Sequence, residues 1–300
     1  MNQEHFKAAI LKALGAAPAE IIPGKFTRFP TSDKRGDESG WCKLFQDGEG
    51  GVFGCWRQGI SETWQAGRQR TDGEQAAFLL RAKQAREEAA KIEAEQRAEC
   101  RKKSAELWER AREVEASHPY IQAKQIKPNG IRQLKESLLV PVRDSAGTLH
   151  GLQFIGPDGV KKFKTGTAVA GCYHAMGKPN GKLLIAEGYA TAATLHEITG
   201  YAVACAFNAG NLKSVAEALR AKFPDSALIV CADDDHATEG NPGVTKATEA
   251  AQAVDGYLAT PCFPDLRGPK DTDYNDLAQL AGLEAVKASI EAAVMPNGIG

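Results

Sequence analysis

Short apolar segments alternate with helix-forming segments in the last third of the chain, and this pattern constrains the fold more than any other feature. The apolar segments are KLLIA, YAVACAF, SALIVCA and GYLATP. Strands that are apolar at nearly every position are buried on both faces, and intervening helices connect parallel neighbours. Residues 181–280 are therefore predicted to form a parallel sheet covered by helices on both faces.

Carboxylates follow two of these predicted strands. Glu187 follows KLLIA, and the triplet 233–235 (Asp-Asp-Asp) follows SALIVCA. Alternate residues of an extended segment point the same way, so Asp233 and Asp235 are expected to face together, beyond the carboxyl ends of the strands. Converging carboxylates repel one another unless a cation neutralises them, and hard oxygen ligands suit Mg²⁺ or Mn²⁺. The pattern favours metal-dependent phosphoryl or nucleotidyl transfer, and the alternative is a helix N-cap or a solvated loop.

The segments LLIAEGYATAATL and CADDD resemble the TOPRIM domain that bacterial-type primases, topoisomerases and some nucleases share. In that family a Glu after one strand and a D-x-D after another form the acidic site. The resemblance thus implies that Glu187, Asp233 and Asp235 are catalytic and bind the metal, and that Gly188 allows a tight turn. The family's primases often have an Asp four positions after the Glu, where this chain has Thr191.

The preceding segment, LLVPVRDSAGTLHGLQFIGPDGVKKFKTG, resembles the basic subdomain that precedes TOPRIM in bacterial-type primases. Its pattern predicts a hairpin of strands 138–143 and 148–155. The resemblance implies that Arg143, Lys162 and Lys164 hold the template backbone or the incoming triphosphate, since phosphate binding is largely electrostatic. From the pattern alone, the lysines are ordinary exposed strand residues, and both interpretations stay open.

Two further segments carry candidate site residues. Asn208 and Asn211 follow YAVACAF, where their side chains could approach a phosphate. The segment KDTDYNDLAQLAG resembles a D-x-N-D-L element that follows TOPRIM in many mobile-element primases. That resemblance would place Asp273, Asn275 and Asp276 near the active site, and the alternative for them is a capped helix start.

The N-terminal stretch is rich in Gly, Trp and Phe and predicts short strands around turns. It resembles the leading module of mobile-element primases, and bacterial-type primases usually begin with a zinc ribbon. Cys42 and Cys55 are too few for a tetrahedral zinc site, so no zinc is expected. Trp41 and Trp56 could stack on single-stranded bases, and the alternative is that they form the core of a small β module.

Residues 72–116 are dominated by Ala, Glu, Lys, Arg and Gln, which predicts a long exposed helix ended by Pro119. The fold class is therefore predicted to be α/β. A TOPRIM-type parallel sheet flanked by helices would follow a small mixed α+β basic subdomain, a long helix and an N-terminal β-rich module. The expected segments are 1–70 (zinc-ribbon-like without zinc ligands), 71–117 (charged helical connector), 118–180 (basic subdomain), 181–280 (TOPRIM) and 281–300 (C-terminal helix and tail).

Composition excludes several classes of protein. A net charge of −1 argues against a uniformly basic DNA-coating protein. No apolar run approaches the roughly 20 residues that span a bilayer, and the N-terminus lacks a signal-peptide pattern. We therefore expect a cytoplasmic protein with no membrane partner.

The resemblance implies a DNA primase that synthesises short RNA primers on single-stranded DNA from NTPs, for replication of a mobile element. No G-x-x-x-x-G-K-[ST] motif is present, so a separate replicative helicase is the expected partner. One alternative is a TOPRIM nuclease, which the basic subdomain disfavours. A type IA topoisomerase is disfavoured because 300 residues leave little room for a strand-passage gate. The non-enzymatic alternative is a single-stranded DNA-binding replication accessory protein.

Overall fold

A computed structural model describes residues 2–33, 36–67, 70–265 and 267–296. The chain divides into two compact units, residues 1–98 and residues 99–300. Helix α2 (Asp72–Arg110) crosses the boundary between them. Among the described residues, no helix combines the length and apolarity needed to cross a membrane. The finer division into five segments remains a proposal.

The first unit contains an antiparallel sheet, as the β-rich pattern predicted. Helix α1 (Asn2–Leu14) precedes it. The strands run in the spatial order of the sequence: β1 (Phe26–Phe29), β2 (Gly40–Leu44), β3 (Gly50–Cys55) and β4 (Ile60–Gln65). Alternate strand residues point to opposite sides of the sheet, so both faces carry side chains that a helix can cover. Helix α1 covers one face and helix α2 covers the other.

Two adjacent glycines let the helices approach the middle of this sheet. A Cβ atom on Gly51 would lie 2.8 Å from the ring of Phe6 in α1. A Cβ atom on Gly50 would lie 2.3 Å from the ring of Phe78 in α2. Any larger residue at either position would therefore push a helix away from its face.

The expectation of a long exposed helix is wrong for the first half of α2. Phe78, Ala82, Ala85 and Ala89 are buried and form a cluster with residues of the sheet that include Trp41. These four positions recur every three or four residues, so they form one face of the helix. The charged residues between them hid this narrow stripe of mostly small side chains.

The end of α2 also differs from the prediction. The helix ends at Arg110, and Pro119 begins helix α3 (Pro119–Lys124) rather than ending α2. Proline suits a first helical turn because its missing N–H would have no partner there. His118 caps α3, and its Nδ1 atom accepts a hydrogen bond from the backbone N–H of Tyr120 at 3.2 Å.

The second unit begins with a four-stranded antiparallel sheet. Its strands are β5 (Arg132–Leu134), β6 (Ser137–Arg143), β7 (Leu149–Ile155) and β8 (Lys161–Phe163). Strands β6 and β7 confirm the predicted hairpin. Strand β8 pairs with β7, and this register places Lys161 opposite Ile155.

A five-stranded sheet follows, in the order β13-β12-β10-β11-β9. Its strands are β9 (His174–Met176), β10 (Lys182–Ala186), β11 (Ala202–Cys205), β12 (Ala227–Cys231) and β13 (Tyr257–Ala259). Strands β10 to β13 are parallel, as predicted. Strand β9 adds an antiparallel edge that the sequence did not reveal, because three residues are too short to show a pattern.

Helices cover both faces of this sheet, which confirms the predicted α/β class. One face carries α4 (Tyr189–Thr199), α7 (Tyr274–Ala281) and α8 (Leu283–Glu291). The other face carries α5 (Leu212–Lys222) and α6 (Pro242–Gln252). Leu138, Val140 and Ile155 of the antiparallel sheet join the core on the α4 side. One continuous core therefore fixes the two sheets of this unit against each other.

Replacing Phe6 with Ala should destabilise the first unit by about 3–5 kcal/mol, because the ring is fully buried between α1 and the sheet. Leu11→Ala on the same helix is the matched control, since Leu11 is 54% exposed, and it should change stability by less than about 0.5 kcal/mol. Urea unfolding followed by tryptophan fluorescence checks this, because Trp41, Trp56 and Trp64 all lie in this unit. Equal effects of the two substitutions would contradict the assigned core.

Candidate active site

Glu187 lies immediately beyond β10, between two parallel neighbours. Ala186, the last residue of β10, pairs with Cys205 of β11 on one side and Cys231 of β12 on the other. The carboxylate of Glu187 accepts a hydrogen bond from the backbone N–H of Ala209, in the loop after β11. Phe207 in that loop has a φ of +72°, an unusual conformation for a bulky residue. This turn brings the N–H of Ala209 to Glu187.

The three aspartates after β12 take different roles. Asp234 points away from the site, where Arg267 forms an ion pair with it at 2.6 Å and the side-chain amide of Asn241 donates to it at 2.6 Å. Burial opposes ionisation of Asp234, but the hydrogen bonds from Arg267 and Asn241 outweigh it and lower its pKa. The alternation expected for Asp233 and Asp235 is therefore found.

Asp235 is held at the start of α6. Its Oδ2 atom accepts a hydrogen bond from the backbone N–H of Gly243 at 3.0 Å. A Cβ atom on Gly243 would lie 2.2 Å from the backbone oxygen of Asp233. Only glycine allows this close packing of the helix start against the acidic turn.

Asp273 brings a fourth carboxylate to the same place. It caps α7, accepting hydrogen bonds from the backbone N–H groups of Asn275 at 2.8 Å and Asp276 at 2.9 Å. Its other oxygen accepts a hydrogen bond from the hydroxyl of Thr191 at 3.0 Å. Thr191, which stands where the family's primases often have an Asp, thus orients a carboxylate supplied by a different segment.

Burial and like charges raise the pKa values of two of these groups. Burial raises the pKa of Glu187, and the carboxylate of Asp235 adds to the rise. Burial also raises the pKa of Asp233 well above its ordinary value, and the charges of Asp273, Glu187 and Asp235 act in the same direction. Lys161 opposes both shifts. Groups with strongly perturbed pKa values cluster at functional sites.

The donors fit a hard divalent cation. The Oδ1 atom of Asp233 is buried and has no hydrogen-bond partner among the residues that the structure describes. Within the described ranges, no group of three or more His, Cys, Asp or Glu side chains forms a ready-made metal site. Mg²⁺ characteristically binds through one or two carboxylates plus water and substrate phosphate, so it does not need a closed protein cage.

Lys161, which is not among the basic residues that the sequence indicated, is the lysine beside the acidic site. It lies opposite Ile155, whose side chain is fully buried in the core, so both face the same side of the sheet. Its Nζ atom lies 3.5 Å from the position that a Cβ atom on Gly188 would occupy. The alternation of β8 could have revealed this, because Lys161 and the partly buried Phe163 are two residues apart.

The three basic residues predicted to bind phosphate show other contacts. Lys162 is exposed and pairs with Phe154, so it points to the opposite face of β8 from Lys161. Lys164 lies near Glu99. The hydrogen bond from Lys103 is the main cause of the lowered pKa of the Glu99 carboxyl, and the charge of Lys164 adds to it. Arg143 donates to the backbone oxygen of Gly147 at 2.8 Å. Their binding of phosphate remains a proposal.

Several other candidate site residues make hydrogen bonds or ion pairs that stabilise the fold. Asn275 is buried, and its Nδ2 atom donates to the backbone oxygen of Lys124 at 2.7 Å and to the hydroxyl of Thr194 at 2.9 Å. Asp276 forms an ion pair with Lys124 at 3.2 Å. Asn211 is buried and donates to the backbone oxygens of residues 172 and 206, whereas Asn208 makes no capping hydrogen bond. The capped-helix interpretation thus holds for the D-x-N-D-L element, while Asp273 also reaches the acidic site.

Gly188 and the tryptophans differ from what the sequence suggested. Gly188 has a φ of −99°, which any residue adopts, so the turn does not require glycine for its backbone angles. Trp41 is 3% exposed and stacks on Phe26, and this burial supports a core role rather than contact with a base. Trp56 is partly exposed and lies under the guanidinium of Arg28, at 5.0 Å.

Residues 182–284 match the model of the Toprim domain, so this part of the chain is a Toprim domain.

The chain is also similar to DNA primase TraC from Escherichia coli, with 34% identity over 281 residues, which cover 85% of this chain and 26% of that protein. A second DNA primase TraC from Escherichia coli is 41% identical over 162 residues, covering 50% of this chain and 11% of that protein. The chain thus spans about a quarter or less of these relatives. A solved structure of the DnaG primase catalytic domain bound to single-stranded DNA shows a TM-score of 0.45 at 15% identity, covering 68% of this chain and 81% of that one. The resemblance to TOPRIM-domain DNA primases of mobile elements is confirmed.

Asp233→Asn should stabilise the metal-free protein near neutral pH, because it removes the charge of a largely desolvated carboxyl whose Oδ1 atom has no hydrogen-bond partner among the described residues. A carboxyl whose pKa is raised by folding loses stability as the pH rises through that pKa. In EDTA, we expect the variant to be more stable than the parent at about pH 7.5, with a difference that shrinks toward about pH 4, near the pKa of an unfolded Asp.

Urea unfolding followed by circular dichroism at both pH values measures this effect. Asp225→Asn, at an exposed turn position, is the matched control and should change stability by less than about 0.5 kcal/mol. An Asp233→Asn variant that is less stable than the parent near pH 7.5 would contradict the assigned environment.

Proposed function

We propose that this chain carries the catalytic core of a DNA primase that synthesises short RNA primers on single-stranded DNA from NTPs, for replication of a mobile element. The proposed cofactor is Mg²⁺ or Mn²⁺, and the proposed partners are the template and a separate replicative helicase. The similarity to DNA primase TraC and the chemistry of the acidic site support this function.

The observation that carries the proposal is the buried, unpartnered Oδ1 atom of Asp233. A buried carboxylate oxygen without a partner destabilises a fold, so the place of this oxygen among three other carboxylates indicates a functional role. A divalent cation would supply the missing partner and relieve the repulsion. Glu187 and Asp235 are each held by one backbone N–H group and can turn a free oxygen to such a cation.

The proposed reaction is nucleotidyl transfer. The 3′-oxygen of one nucleotide attacks the α-phosphorus of the next NTP, a new P–O bond forms, and the bond from that α-phosphorus to the oxygen that joins it to the β-phosphorus breaks. The hydroxyl proton leaves to solvent, and pyrophosphate carries away the electron pair of the broken bond. When bound, the metal would polarise the phosphate and lower the pKa of the attacking hydroxyl. Glu187, Asp233 and Asp235 would hold it, and Asp273 would add negative charge nearby.

A TOPRIM nuclease would use the same carboxylates with water as the nucleophile. The antiparallel sheet disfavours a nuclease, because it presents Lys161 beside the acidic site. A triphosphate offers this lysine more negative charge than a single phosphodiester does. A non-catalytic DNA-binding protein would have no reason to retain a destabilising carboxylate at Asp233.

Primer synthesis on single-stranded DNA with labelled NTPs tests the proposal. Asp233→Ala should reduce short RNA products by on the order of 100-fold or more, because the metal loses a ligand. Asp225→Ala is the matched control at an exposed carboxylate and should retain the products. The measurement is product yield on denaturing gels, with Mg²⁺ and with Mn²⁺.

The other outcomes separate the alternatives. Cleavage of DNA that depends on Asp233, without primer synthesis, would make the protein a nuclease. Binding of single-stranded DNA with neither activity would make it an accessory protein. Primer synthesis that survives Asp233→Ala would overturn the assigned site.

A further inference from the structure

Asp234, the aspartate of the triplet that points away from the acidic cluster, has both of its side-chain oxygens engaged. Its Oδ1 atom accepts a hydrogen bond from the side-chain amide of Asn241 at 2.6 Å, and its Oδ2 atom accepts one from the guanidinium of Arg267 at 2.6 Å. The side chains of Asp234 and Arg267 are only 17% and 20% exposed, so salt and water screen this ion pair less than a surface pair. Asp234 therefore binds neighbouring segments of the protein rather than a cation.

The segment that Asp234 binds is the one that leads to Asp273. Arg267 precedes a tight turn, residues 268–271, in which the first backbone N–H donates to the side-chain carboxylate of the last residue at 2.6 Å. After the turn, the backbone oxygen of Thr272 accepts a hydrogen bond from the backbone N–H of Asp234 at 2.8 Å. Asp234 thus holds both ends of this turn, one with its side chain and the other with its backbone, and Asp273 is the next residue.

Arg267 is itself held against the core. Its guanidinium lies over the ring of Phe263, 4.9 Å from the ring centroid, and Phe263 packs against the buried cluster on the α4 side of the Toprim sheet. A cation and an aromatic face attract each other, so this contact limits the positions that the long arginine side chain can take. With a ring on one side and a carboxylate on the other, Arg267 has a defined place.

Two sets of contacts therefore place Asp273. The hydroxyl of Thr191 and the backbone N–H groups at the start of α7 orient its carboxylate. The contacts of Asp234 tie the backbone just before it to the end of β12. The charge of Asp273 acts on Asp233, so the position of this backbone decides how many carboxylates a cation meets.

We propose that Asp234 and Arg267 are positioning residues, which hold segment 267–272 against the end of β12 and thereby place Asp273 in the acidic cluster. This inference rests on the proposed metal site. It gives the middle aspartate of the triplet a role that differs from that of its two neighbours: they face the cation, and Asp234 brings a further carboxylate to it.

Arg267→Ala tests this role by the sign of its effect on metal binding. By electrostatics alone, loss of a positive charge near carboxylates strengthens the binding of a cation. If the ion pair positions Asp273, the variant should instead bind Mn²⁺ about tenfold more weakly, as expected when a group that orients a metal ligand is lost. Arg267→Lys keeps the charge and should recover part of the affinity.

Electron paramagnetic resonance of free Mn²⁺, titrated with the full chain without DNA or nucleotide, measures this affinity. Lys178→Ala, at an exposed position in the loop before β10, removes the same charge and should bind like the parent. Asp234→Asn keeps the shape of the side chain and loses the charge that holds Arg267, so it should also weaken Mn²⁺ binding. Circular dichroism shows that each variant is folded.

A double-mutant cycle identifies the group that is positioned. Asp273→Asn should weaken Mn²⁺ binding by itself, and adding Arg267→Ala should then change the affinity by less than about twofold, because the carboxylate to be positioned is already gone. Fully additive effects would mean that Arg267 acts on the site by another route, and they would overturn the inference.

Unchanged or tighter Mn²⁺ binding in Arg267→Ala would also overturn the inference, and it would leave the primase function untouched. A parent that binds no Mn²⁺ would contradict both the metal site and the role of Asp234. Mn²⁺ binding that depends on Arg267, in a protein that makes no primers, would contradict the primase function and leave the positioning role standing.

Discussion

Repulsion among carboxylates at the ends of parallel strands is the constraint on which the second unit depends. Asp233 lies at the centre of this repulsion, with a buried oxygen that no group of the described chain satisfies. The surrounding structure holds the cluster in place by backbone contacts: the N–H of Ala209 to Glu187, and the N–H of Gly243 to Asp235. The fold accepts a local cost in stability here, as active sites commonly do.

The antiparallel sheet and the Toprim sheet act as one body because they share a core. Ile155 is buried in that core, and the neighbouring strand turns Lys161 toward the acidic cluster. A cation on one sheet and carboxylates on the other give a site with both signs of charge.

The first unit is stabilised by packing, with a helix on each face of its sheet. Phe6 from α1 and Phe78 from α2 approach the backbone at Gly51 and Gly50 from opposite sides. Apolar packing of this kind gives a small module a core without requiring a metal. Two tryptophans were candidates for contact with bases. Trp41 is buried in this core, and Trp56 is partly exposed at its edge.

The sequence by itself determined the parallel sheet, the hairpin and the identity of Glu187, Asp233 and Asp235 as candidates, because strand burial and alternation are local and periodic. The resemblance of the D-x-N-D-L element also suggested Asp273, Asn275 and Asp276, but it did not determine which of the three joins the cluster, and it did not single out Lys161. Asp273 and Lys161 come from separate segments and reach the cluster through the packing of α7 and β8. Contacts between distant segments leave no periodic pattern in a single sequence, so only the tertiary structure decided them.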